Sequence, residues 1–139
     1  MIAQALRKLV RERAGNRCEC CHVDEEAEPF FTFHIEHIRP RQHGGATDEA
    51  NLALARHHCN LHKGPNLTAI DPDADLVVAL FNPRTDEWLE HFALAGVTVV
   101  GRIGRTATGR PAVRLLKMNA PARLQLRAKP GPLEGGGAP

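Results

Sequence analysis

Phe33-His34-Ile35-Glu36-His37-Ile38-Arg39-Pro40, followed by His43-Gly44-Gly45, Asn51-Leu52 and Cys59-Asn60-Leu61-His62-Lys63-Gly64, is the stretch on which the reading of this chain turns. Phe31, Phe33 and Ile35 alternate with Thr32 and His34, the pattern of a half-buried strand. Turn-forming residues fill Pro40 to Asp48, and Leu52 to Ala55 is apolar enough for a short second strand. A helix that begins near Asn60 would complete a strand-strand-helix finger. Six of the eight histidines fall between positions 34 and 62, so imidazole, carboxylate and thiol groups are concentrated in this one segment. Taken singly, a surface His or Glu is an ordinary solvated side chain. It is the ordered set that carries information.

That set, with Cys18-Glu19-Cys20-Cys21 upstream, resembles the HNH endonuclease family in five respects. They are a Cys-x-x-Cys, an acidic residue and His closing a strand, a Gly-Gly loop, an Asn-Leu, and a Cys-Asn-x-x-Lys opening a helix. The resemblance implies a ββα-metal finger that hydrolyses phosphodiester bonds in DNA. It implies that His37 is the general base, since an imidazole titrating near neutrality (unperturbed about 6.5) can take a proton from water. Glu36 and Asn60 are expected to hold a hard divalent cation, Mg²⁺ or Mn²⁺, with His37 beside it as a further candidate ligand. Such an ion neutralises charge that builds on the phosphate. Asn51 corresponds to the family's central Asn, which holds the loop between the strands. The third motif position is Asn60 here, as in many members.

The geometry contains a tension. Glu36 and His37 are neighbours, and on an undistorted strand successive side chains point to opposite faces. Both reach one ion only if the strand bends or ends there, which Pro40 favours. Arg39, Arg41 and Lys63 are candidate phosphate contacts around the finger. His34, His43, His57, His58 and His62 have no assigned role, and a structural or solvated one is expected for each.

Relatives carry two Cys-x-x-Cys knuckles around a structural Zn²⁺, the second running directly into the Asn. In this chain the position three before Cys59 is Arg56. Cys18, Cys21 and Cys59 therefore offer three thiolates to an ion that takes four ligands. His57, His58 or Cys20 could complete the set; the alternative is that zinc is lost and the cysteines are small buried hydrophobes. Disulfides are not expected. The segment from Ile2 to Ala14 is too charged for a signal peptide, and no window approaches the 18 apolar residues of a membrane span, so a reduced, cytoplasmic setting follows.

The chain has 139 residues, a length that suits one domain, and net charge +2. From Gly101 to Lys129 it carries eight basic residues and no acidic one; that segment is +8 and leaves −6 for the rest. A basic end suits a polyanion, and Arg110, Arg114 and Lys117 are spaced to share a helical face against DNA. With five Phe, one Trp and no Tyr, base stacking is not expected to dominate.

Ile2, Leu6, Leu9 and Val10 lie at helical spacing before Gly15-Asn16. Leu76 to Phe81 and Val97 to Ile103 read as strands, Thr85 to Phe92 is ambiguous between helix and strand, Pro111 suits the first turn of a helix to Met118, and Pro121 opens a last one. The segment from Gly64-Pro65-Asn66 through Asn82-Pro83-Arg84 to Met118-Asn119 resembles an extension of small stand-alone HNH proteins. The expectation is an α+β single domain, 1–129, with the finger at about 17–67, an N-terminal helix, and a C-terminal extension at 68–129 built of a β-hairpin plus helices; 130–139 has the composition of a disordered tail. A competing reading is a non-catalytic zinc-knuckle module that binds nucleic acid.

Overall fold

The structure, a computed structural model, describes residues 2–102 and 108–128. Ile103, Arg105, Lys129 and the 130–139 tail, which figured in the sequence reading, lie outside the described residues.

Helix α1, Gln4–Ala14, turns Val10 into the core with Leu6 beside it and ends where Gly15 takes a left-handed conformation, φ 65°. A tight turn follows in which Cys18 N–H donates to Val23 O at 3.0 Å and His22 N–H returns to Cys18 O at 3.0 Å. Strand β1, His34–His37, pairs antiparallel with β2, Leu52–Ala55, in a register that sets His37 opposite Leu52 and Glu36 opposite Ala53. All four β2 residues are buried, and α1 packs against them. Helix α2, His57–Lys63, starts three residues before the onset expected near Asn60, packs on β1 and completes the ββα unit. The strand lies later than the alternation of Phe31, Phe33 and Ile35 suggests: it begins at His34 and includes His37. Phe31 sits outside it, half-exposed and stacked on the His57 ring at 4.7 Å.

The C-terminal extension contains two hairpins where the sequence suggested one. Strand β4, Val77–Ala79, pairs with β3, Thr68–Ile70, a segment not read as a strand. After α3, Trp88–His91, strand β5, Phe92–Ala95, pairs with β6, Thr98–Gly101. The ambiguous segment thus divides, a helical turn through His91 and a strand from Phe92. The two residues between β5 and β6 include Gly96 at φ 63°, the positive φ that a tight hairpin favours. Helix α4 runs Gly109–Leu115 and stops because Lys117 turns left-handed at φ 49°, short of the expected end at Met118. Helix α5, Pro121–Ala128, starts at its proline as expected. The core joins both parts: Val10, Leu52 and Leu54 from the finger side pack in one cluster with Phe92, Val99, Leu116 and Met118. Among the described residues no helix is long and apolar enough to cross a membrane.

Candidate active site and thiolate cluster

His37 closes β1 with its ring half-buried, and its Nε2 lies 2.8 Å from Thr47 Oγ1 in the loop between the strands. Burial and the charge of Arg41 hold its pKa below the ordinary 6.5, so the neutral, proton-accepting form prevails at physiological pH. Thr47 carried no signal in the sequence beyond its place in a turn-rich stretch. The loop is fastened by Asn51, whose amide donates to Arg39 O (3.0 Å) and Ala46 O (2.8 Å) while its oxygen accepts from Arg39 N–H (2.9 Å). Gly45 packs so tightly in this clasp that a Cβ there would collide with Arg39 O, which explains the second glycine of the pair.

Glu36 faces the other way, 7% exposed, with Cys20 Sγ 4.0 Å from one oxygen and Lys63 Nζ 4.0 Å from the other. Burial lifts its pKa to about 7 against the opposing pull of Lys63. The strand keeps its alternation, so Glu36 and His37 occupy opposite faces. Among the described residues His37 joins no group of three His, Cys, Asp or Glu ligands close enough for one ion. Asn60 sits on α2 three residues before Lys63, half-buried. Lys63 itself is buried and donates to Ile38 O at 3.0 Å, so the structure turns it inward to the finger and away from the expected phosphate contact. His34 Nε2 and His57 Nδ1 lie 2.9 Å apart on the α2 face of β1.

Behind the finger, the sulfur atoms of Cys18, Cys21 and Cys59 all lie within 4.8 Å of one another, fully buried. Cys21 N–H points at Cys18 Sγ, 3.5 Å away, the knuckle geometry that a Cys-x-x-Cys adopts around a metal. Burial opposes a charge on Cys18, but the thiols of Cys20, Cys21 and Cys59 hydrogen-bond to it and hold it well below the ordinary thiol range. The place of the absent fourth cysteine is filled by Arg56, which makes a buried ion pair with Glu28 at 2.9 Å.

Residues 18–66 match the family model for the HNH endonuclease. This stretch is an HNH domain. No curated protein and no solved structure matches the chain. Within the HNH domain the donors suit two kinds of ion. The oxygens of Glu36 and Asn60 suit a hard divalent cation, and the three sulfurs suit Zn²⁺, whose tetrahedral ligands at about 2.3 Å would stand about 3.8 Å apart.

Outside the HNH domain, the C-terminal arginines do not form the expected face. Arg110 is held by Asp71 and Asp73 through ion pairs, and its guanidinium keeps the fully buried Asp71 carboxyl below the usual range. Arg123 is 2% exposed and donates to Cys59 Sγ. Arg127 donates to the carbonyls of Cys21, Val97 and Met118. Arg114 and Lys117 are exposed, but the left-handed turn takes Lys117 off the α4 face. Arg39 and Arg41, by contrast, stand exposed beside His37.

Proposed function

We propose that the chain is a metal-dependent endonuclease that hydrolyses phosphodiester bonds in DNA. The observation that carries this reading is His37 held at 2.8 Å by Thr47 of a loop that Asn51 fastens and that also carries the exposed Arg39 and Arg41. Thr47 accepting the Nε2 proton would leave Nδ1 to take a proton from the attacking water. Asn51 acts by keeping the loop, and so the ring, in place. Arg39 and Arg41 hold the phosphodiester backbone as cations. Glu36 and Asn60 would hold Mg²⁺ or Mn²⁺, which supplies Lewis-acid stabilisation of the charge on the phosphate. For Glu36 to serve, its side chain must leave Lys63 and the strand must turn it to the face of His37, which is why the buried Glu36–Lys63 contact and the unbroken alternation of β1 favour a second reading, a non-catalytic zinc-knuckle module that only binds nucleic acid.

Plasmid cleavage by the purified protein, with Mg²⁺ or Mn²⁺ and with chelator, decides between them. Nicking or linearisation that chelator abolishes is the expected result. Plasmid binding with no cleavage in either metal would establish the second reading.

A further inference from the structure

Among the described residues Arg123 is the most deeply buried cation of the C-terminal extension, and no carboxylate lies within ion-pair distance of it. A guanidinium does not lose its proton in a protein, and a buried charge without a counter-charge is strongly unfavourable. Its contact is with sulfur: Nη1 donates to Cys59 Sγ at 3.2 Å. The group that Arg123 faces is therefore the sulfur cluster, which gains negative charge when its thiols lose their protons to bind a metal. One turn later on the same helix, Arg127 Nε donates to Cys21 O at 2.9 Å, so α5 grips both knuckles of the cluster.

The charge count explains the pairing. Zn²⁺ with four thiolates carries −2, and with three it carries −1. Arg56, in the fourth cysteine's place, is locked against Glu28 and cannot ligate. Buried guanidinium charge offsets the −1 of a three-thiolate site: Arg123 supplies it against Cys59, and the half-buried Arg127 adds to it beside Cys21. We propose that Arg123 is the resident cation of a three-thiolate Zn²⁺ site formed by Cys18, Cys21 and Cys59, and that metal loading is thereby coupled to the docking of α5 on the HNH domain. Cys20, turned toward Glu36, stays outside the ligand set. The proposal rests on the cysteine trio binding zinc and is independent of whether the protein cleaves DNA.

The test uses the full chain stripped of metal and titrated with Co²⁺, whose thiolate charge-transfer absorption grows with the number of sulfur ligands. Wild type is expected to take one ion per chain, and Cys20→Ser to give the same spectrum. Arg123→Met should weaken the metal at least tenfold, while Arg123→Lys, which keeps the charge, should lose less. Hydrogen exchange of wild type with and without metal should show faster exchange across 121–128 once the ion is removed, a readout that needs no variant to fold. No uptake by wild type would sink the zinc site altogether. Uptake by Arg123→Met as tight as wild type, a weaker charge-transfer band in Cys20→Ser, or exchange across 121–128 that ignores the metal would each overturn the role of Arg123 while leaving the nuclease reading untouched.

Discussion

The arginines of the finger loop and those of the C-terminal extension are the same residue put to opposite uses. Arg39 and Arg41 are exposed on the loop that follows His37, Arg39 donating to His43 O within it, and the loop is fastened by Asn51. Arg110, Arg123 and Arg127 are drawn into the molecule, against Asp71, Cys59 and three carbonyls. Charge in a sequence says how many cations there are, but not how many face solvent. In the +8 segment, which reads as a polyanion-binding end, Arg123 and Arg127 fasten the extension to the finger and Arg110 is matched by Asp71 and Asp73 within the extension. Changes at the back of the finger are expected to cost stability, and changes at the front chiefly activity.

The largest stability effect is expected from Arg56→Ala, which strands Glu28 in the interior. Breaking a buried pair by removing one partner typically costs about 3–5 kcal/mol. Urea unfolding should show a loss of that size, and a loss under about 1 kcal/mol would mean that the pair is not a structural substitute for the absent cysteine. Asn51→Ala removes three hydrogen bonds from a half-buried loop clasp. It should cost a smaller amount, about 1–3 kcal/mol, and reduce cleavage more than its stability loss accounts for. If its cleavage matches wild type under conditions where both are folded, Asn51 does not position the base.

The pH profile sharpens the front of the comparison. A base must be neutral to work, and burial together with Arg41 lowers the His37 pKa from 6.5. The acid limb of cleavage should therefore lie below 6.5, and Arg41→Ala should move it up toward that value. An acid limb above 6.5 in wild type, or one that Arg41→Ala leaves in place, contradicts the assignment. The smallest effects belong to salt dependence. On duplex DNA each neutralised phosphate adds roughly −0.9 to the slope of log K against log salt. The Arg39→Ala, Arg41→Ala pair should flatten the slope by up to about 2 units. Arg114→Ala with Lys117→Ala should do less, and Arg110→Ala should leave it unchanged, because its charge is already matched by Asp71. The reverse order would return the DNA contact to the extension.

Much of the finger was legible because its signals are local. Strand β2 from Leu52 to Ala55, the turn-rich loop, the glycine pair and the helix with Cys59 and Asn60 all rest on nearest-neighbour chemistry, and the matched residues 18–66 nearly coincide with the 17–67 read from the motif. What depended on distant contacts was not legible. Strand β3 has no strand pattern of its own and exists by pairing with β4. Lys63 looks like a phosphate contact until the carbonyl of Ile38, 25 positions earlier, is seen to hold it. Arg123 lies 64 residues from the sulfur it touches, and no spacing rule connects an arginine on a late helix to a cysteine knuckle. Thr47 is invisible for the same reason, since a hydroxyl in a turn is commonplace until an imidazole lies against it.

Comparing His37→Ala with wild type in DNA cleavage and DNA binding side by side tests His37 as the general base. A positioned base is worth about 10² to 10⁴ in rate. Cleavage by His37→Ala should fall by that factor while its affinity for the same DNA in chelator and its unfolding midpoint stay at the wild-type values. Cleavage by a folded His37→Ala at the wild-type rate would contradict the account.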